Sequence, residues 1–180
     1  MVESLDYEVL QKEGSFELRR YPLTILATVR EKSDSDAFSI LFGYISGDNS
    51  RREKVPMTAP VVSKDVGSER ISMTVPVVSG NKSFSFVLPS RYSPTTVPKP
   101  SDPRVSIEVL PERQLAVLRF RGRAGARSVA SHHMQLQESI RRFGLTSKGE
   151  LFLMRYNPPF TPGFLRRNEV AVEVVSKRVA

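Results

Sequence analysis

Glu169 and Tyr156 are the residues whose types and places best suit acid–base chemistry. Glu169 opens an otherwise apolar alternating stretch, Glu169 to Val175, directly after Arg166-Arg167-Asn168, and Tyr156 ends the strand-like stretch before it. A carboxylate in a pocket there can bind a cation or take a proton. The plainer reading is a strand-end charge paired with an arginine. His132 and His133 are the only histidines, and His133 shares a helical spacing with Val129, Leu136, Ile140 and Phe143. An inward imidazole can ligate a metal through a neutral ring nitrogen, or be hydrogen-bonded within a core. A two-histidine zinc site needs a different spacing and further partners. The absence of cysteine removes disulfides, thiolate metal sites and a thiol nucleophile. No Gly-x-Ser-x-Gly, phosphate loop or paired-carboxylate signature occurs, so nucleophilic catalysis has no support. Met57, Met73, Met134 and Met154 suit an adaptable apolar pocket or plain core filling.

The chain has 180 residues, a formal charge of +8 and 39% hydrophobic residues, which fits one domain, or two small fused halves, with a real core. The positive charge is dispersed as Arg19-Arg20, Arg51-Arg52, Arg119 with Arg121 and Arg123, Arg141-Arg142 and Arg166-Arg167. No run reads as a nucleic-acid tail, and no nucleic-acid-binding signature appears. Carboxylates on a small ligand would answer the same bias. No apolar run is long enough for a membrane span, and residues 1–30 lack a secretory pattern, so a cytoplasmic location is expected.

These residues need elements to hold them. Lys-Val-Pro-Met-Thr-Ala-Pro-Val-Val at 54–62 is echoed by Ile-Ser-Met-Thr-Val-Pro-Val-Val at 71–78. Val, Thr and Ile favour strands, while Pro60 and Pro76 must sit at an edge, a bulge or a strand end. The two copies are expected to form an antiparallel pair. Further strands are expected at 7–11, 16–20, 23–30, 84–88, 105–110, 115–121, 151–156 and 169–175. A helix is expected from Ala37 to Ile45, capped by Asp34 or Ser35 and stopped at Gly47, and a second over 128–143. The first is apolar over most of its circumference, through Phe38, Leu41 and Ile45 widened by Ala37, Phe42 and Tyr44, so it must be covered on more than one side. Five prolines make 89–103 an extended connector. The pattern strand, turn, strand, helix, strands occurs twice, which predicts one domain over 1–180 built from similar halves at about 5–90 and 104–176.

Phe-Glu-Leu-Arg-Arg-Tyr-Pro at 16–22, Tyr-Ile-Ser-Gly-Asp-Asn at 44–49, Lys-Val-Pro-Met-Thr-Ala-Pro-Val at 54–61, Tyr-Asn-Pro-Pro-Phe-Thr-Pro at 156–162 and Arg-Arg-Asn-Glu-Val at 166–170 together resemble the SOUL/haem-binding protein family, in order from about Tyr7 to Val174. The resemblance implies an α+β fold: a distorted antiparallel β-barrel, two flanking helices and a pseudo-twofold repeat, similar to the gyrase-inhibitor-like ligand-binding fold. It also implies reversible binding of b-type haem or another porphyrin in an apolar groove on the first helix, at Phe38, Leu41, Phe42 and Ile45.

Two positions depart from the family pattern. Arg20 stands where some relatives have a histidine proposed as axial ligand, and Gly43 where some have a basic residue. Arg51, Arg52 and Lys54 are the expected propionate partners instead. The expected function is a non-enzymatic carrier or buffer of tetrapyrroles. The alternative is a gyrase-inhibitor-like small-molecule sensor or hydrolase using Glu169 and Tyr156, and an interaction module on the basic face is a third. A small-molecule tetrapyrrole is the expected partner, with no specific nucleic acid and no membrane span, and a protein partner is left open.

Overall fold

The computed structural model describes residues 3–31, 33–65, 82–158 and 160–176. In chain order these form β1 (Glu3–Ser4), β2 (Glu8–Glu13), β3 (Phe16–Tyr21), β4 (Thr24–Glu31), α1 (Asp34–Ser46), β5 (Thr58–Asp65), β6 (Lys82–Val87), β7 (Ser106–Leu110), β8 (Arg113–Arg121), α2 (Ala126–Arg142), β9 (Leu145–Arg155), a short 3₁₀ turn (Gly163–Leu165) and β10 (Arg167–Ser176). The second Met-Thr-x-Pro-Val copy, at 71–78, lies outside the described residues.

The strands pair antiparallel in the order β2-β3-β8-β10-β9-β5-β6-β4-β7, with β1 added parallel to β5. The protein is therefore α+β, with two helices and one largely antiparallel sheet. The barrel expected from the sequence is not closed: the path runs from β2 to β7, and no pair among the described residues joins those ends. β2, Glu-Val-Leu-Gln-Lys-Glu, is mostly exposed and charged, as suits a strand that ends a sheet. Within the path, β4, β5 and β6 lie in the order β4-β6-β5, and β8, β9 and β10 in the order β8-β10-β9, the two triplets meeting where β5 pairs with β9.

Both helices cover one face of the sheet, α1 over β4 and β6, α2 over β8, β9 and β10. Strand alternation then sorts the core. Ile25, Ala27 and Phe86 pack with α1, and Ala116, Leu118, Val170 and Val172 with α2. Leu26, Val87, Val117, Phe152, Met154 and Ala171 form a third cluster on the opposite face. The first six residues of β4, Thr24 to Val29, are all buried, which requires cover on both faces.

Ser33, one residue before the expected caps, caps α1 by accepting from the Asp36 N–H at 3.4 Å, and Asp34 and Asp36 complement the helix dipole. Gly47 ends the helix with φ 129°, a value that favours glycine. The proline-rich connector is packed rather than free. The Tyr44 hydroxyl donates to Pro98 O at 2.7 Å, and Tyr92, Val97 and Val105 join the α1 cluster. This is the second cover that the apolar circumference of α1 demanded.

Two strands begin more than two residues from their expected starts. β5 begins at Thr58, and its pairing with β6 shifts register between Thr58 and Val61, a bulge that accommodates Pro60. β9 begins at Leu145, six residues before the expected start, because Leu145 to Lys148 pair with Ser176 to Glu173. That extension runs beyond β5 and is largely exposed, so Thr-Ser-Lys-Gly-Glu shows no apolar alternation. β1 was not expected at all; two residues carry no period.

Candidate functional site

The four residues expected to line a groove on α1 divide into two pairs. Leu41 and Ile45 are buried in the cluster between α1 and the sheet, Leu41 at 0% exposure. They face the protein's own core. Phe38 is half-buried, edge-on to Phe86 at 5.3 Å, and stacks on Phe42 at 6.0 Å. Phe42 is 52% exposed, so α1 presents an aromatic pair whose outer ring is open to solvent.

Arg51, Arg52 and Lys54 are exposed on the loop that follows α1. Asn49, 3% exposed, builds that loop: its Nδ2 donates to Tyr44 O and Glu53 O, and its Oδ1 accepts from the Arg51 and Glu53 N–H groups. Arg51 approaches Glu53 only at 4.0 Å, and no ion pair is found for Arg52 or Lys54 among the described residues. Gly43 faces the Asp48 carboxylate, where a Cβ would stand 2.9 Å from Oδ2.

Neither histidine lies on α1. His132 and His133 are both half-buried on α2. His132 stacks on Phe120 with ring centroids 4.0 Å apart, and its Nδ1 lies 2.7 Å from Ser128 O. Arg20 is a surface charge with its Nη1 donating to Glu8 at 2.8 Å.

Glu169 and Tyr156 do come together, but not in an open pocket. The Tyr156 hydroxyl donates to Glu169 Oε2 at 2.7 Å. Arg19 reaches the same carboxylate from β3, with Nη1 and Nη2 donating to Oε2 and Oε1 at 2.8 Å each. Arg167 adds a bond to Oε1 at 2.7 Å. Arg19 also donates to Glu17 at 2.6 Å and to the Tyr21 hydroxyl at 3.0 Å, and lies 4.0 Å above the Tyr7 ring. Arg19 and Glu169 are both at 0% exposure. Burial pushes the Glu169 carboxyl up, but the bonds and charge of Arg19, with Arg167 and Tyr156, outweigh it and hold the pKa at about 2. Burial also disfavours the Arg19 cation, yet Glu169 overrides it and raises its pKa. Burial and the adjacent Glu169 charge push the Tyr156 phenol well up, and burial takes Tyr21 to about 12.

Arg19 is the residue that the sequence reading passed over. Its signal was the alternation Glu17, Arg19, Tyr21, which places two charges and a phenol on one face of a strand whose other face begins with Phe16 and Leu18.

Among the described residues no cluster of acidic, histidine or cysteine side chains could hold a metal ion, and no helix is long and apolar enough to cross a membrane. Among the described residues, two shallow depressions run along α2, past Met134, Gln137 and Arg141, away from the α1 aromatics.

An open antiparallel sheet backed by two helices, with a buried arginine–glutamate pair on its other face, is the class that these elements define. The same fold occurs in the EcmrR C-terminal domain, at 9% identity and a TM-score of 0.62 over 94% of this chain and 98% of that one. It occurs also in a hydrolase from Listeria innocua, at 9% identity and a TM-score of 0.58 over 92% and 94%. The chain belongs to the SOUL heme-binding protein family, whose model matches residues 2–173. It is 29% identical to mouse Heme-binding protein 2 over 175 residues, 89% of this chain and 82% of that protein.

Proposed function

We propose that the protein binds haem or another porphyrin reversibly, as a non-enzymatic carrier or buffer. The observation that carries this reading is the stacked Phe38–Phe42 pair, open to solvent on α1 of a chain that belongs to a haem-binding family. A porphyrin is a large apolar plate with carboxylates at one edge. Aromatic rings offer it stacking, and the exposed Arg51, Arg52 and Lys54 offer charge-assisted pairing to the carboxylates.

The donor set on α1 fits the plate better than the iron. A bound haem would supply redox-active iron, but both histidines sit on α2, and the half-buried Met57 is the soft donor in the α1 cluster. Holding the plate and pairing the carboxylates is what these residues do.

Glu169 does not favour the hydrolase or sensor alternative. A general base at neutral pH needs a pKa near that pH and a free lone pair aimed at substrate. Glu169 has a pKa of about 2, with both oxygens engaged by Arg19, Arg167 and Tyr156. The matching order of β4-β6-β5 and β8-β10-β9 supports reading the chain as one domain of two similar halves.

Titration of ferric haem and of metal-free protoporphyrin into the full chain tests the proposal. Both are expected to bind, with affinities within about threefold, because ring contact rather than iron ligation dominates. Phe42→Ala is expected to weaken both by about tenfold, ~1.4 kcal/mol, with the fold retained by circular dichroism. His132→Ala and His133→Ala should leave the Soret band in place. Failure of both ligands to bind overturns the proposal, and unchanged binding by Phe42→Ala removes α1 from it.

A further inference from the structure

The end of the sheet where β8 leaves for α2 and β9 turns into β10 carries exposed apolar side chains and arginines. The β9–β10 loop is folded on itself: Thr161 N–H donates to Pro158 O at 3.0 Å, Leu165 N–H to Pro162 O at 2.9 Å, and Arg166 Nε to Thr161 O at 2.8 Å. It is also tied to the β8–α2 loop. Gly122 N–H donates to Arg166 O at 3.1 Å, and Asn168 Nδ2 to Gly122 O at 2.7 Å. The Arg123 side chain lies against Gly163, where a Cβ would stand 2.9 Å from its Cγ. The two loops make one built surface.

That surface leaves Phe160 at 87%, Phe164 at 75% and Leu165 at 53% exposure, the first two the most exposed large hydrophobic residues described. Neither Leu115 to Gln137 nor Tyr156 to Asn168 contains an aspartate or glutamate. Arg121, Arg123 and Arg127 are exposed, and none has an ion-pair partner among the described residues. Glu169, the nearest acid in sequence to this end, is buried under Arg19 and Arg167.

We propose that this face docks peripherally on an anionic phospholipid bilayer. Phe160, Phe164 and Leu165 enter the boundary between headgroups and acyl chains, while Arg121, Arg123 and Arg127 pair with the headgroup charges. Charge complementarity and the exposure of the apolar side chains select this occupant. The exposed apolar residues lie beside arginines on two stretches of chain that carry no acid, which is what a headgroup layer over hydrocarbon matches. A protein partner would have to supply a groove lined with acids. Docking of this kind spans nothing, consistent with the lack of a spanning helix among the described residues. It uses the β8–α2 and β9–β10 loops with the first turn of α2, and none of the α1 residues, so it stands apart from the porphyrin reading.

The chain has no tryptophan, so Phe164→Trp places a single fluorescent reporter on this face. The probe is vesicles of phosphatidylcholine with roughly 30% phosphatidylserine, against phosphatidylcholine alone, at low salt. The Phe164→Trp emission is expected to shift to the blue only with the anionic vesicles, and the native chain to co-sediment with them at least about tenfold better than with neutral ones. Phe160→Ser with Phe164→Ser, and separately Arg121→Gln with Arg123→Gln, are each expected to lose roughly tenfold in vesicle affinity. Circular dichroism and porphyrin titration should be unchanged in both. No sedimentation with anionic vesicles overturns the proposal. So does equal binding by the double serine variant, which would reduce the effect to diffuse attraction by net charge. A dimer that forms without lipid and depends on Phe164 also overturns it, because a second copy would then cover this face.

Discussion

Arg19 and Glu169 cross 150 positions of sequence to make a two-point contact with no solvent access on either side. Against apolar replacements such a pair adds little net stability, but losing one partner strands a buried charge, at about 3–5 kcal/mol. Glu169→Leu is therefore expected to lower unfolding free energy in urea by up to that order, less what Glu17 still offsets through its 2.6 Å pair with Arg19, and the double change Arg19→Met with Glu169→Leu to recover part of it. A single variant as stable as the native chain would show that the pair is not formed. The pH dependence follows from the same carboxylate. Its folded pKa of about 2 lies below its ordinary 4.5, so as pH falls the unfolded chain takes up the proton first. The stabilisation is complete above about pH 5 and is lost as pH falls from 4.5 toward 2. Glu17 has a lowered pKa as well, despite its burial, through Arg19 and Lys12, and adds in the same direction. The urea midpoint should fall across this window, and less steeply in Glu169→Gln. Glu169 stood out in the sequence because it interrupts an apolar alternation beside arginines, and its ion-pair reading was available there. Arg19 did not, since the alternation Glu17, Arg19, Tyr21 reads equally well as a solvated polar face until its distant partner is known.

At the scale of elements, both helices and all the longer strands were legible from period and punctuation, because each has a face that must leave water. What escaped has no such face: β1 is two residues long, and the first half of β9 projects past its cover. The candidate site was harder to read. The period placed Leu41 and Ile45 on the same stripe as Phe38, but it cannot tell the sheet from a ligand as the thing a stripe faces. Burial separates them. Leu41→Ala is expected to cost about 2–5 kcal/mol through the cavity it leaves against the sheet, whereas Phe42→Ala should be close to neutral in stability. Equilibrium denaturation of the two variants checks this, and equal losses would mean that Phe42 is as enclosed as Leu41. The motif residues are themselves largely architectural. Asn49 shapes the exit from α1, Tyr44 anchors the proline-rich connector, and Arg19 with Glu169 joins the first motif to the last.

Over the whole molecule the +8 charge meets an open sheet and a solvent-facing aromatic pair. If the arginines near α1 contribute to holding a porphyrin, their effect is that of exposed charges, which salt screens over roughly a Debye length of 10 Å at 0.1 M. Ring contact with Phe38 and Phe42 is not screened. The two contributions therefore separate by experiment. Raising salt from low to molar is expected to weaken protoporphyrin binding by a few-fold and no more, since exposed pairs are each worth about 0–1 kcal/mol. The dimethyl ester, which keeps the plate and removes both carboxylates, should bind at low salt about as tightly as the acid does at high salt, and its own affinity should be nearly independent of salt. An ester that matches the acid at low salt would take Arg51, Arg52 and Lys54 out of the site and leave the plate on Phe42 alone. An ester that does not bind at all would mean that charge, not stacking, places the ligand. It would then point to arginines elsewhere on the molecule.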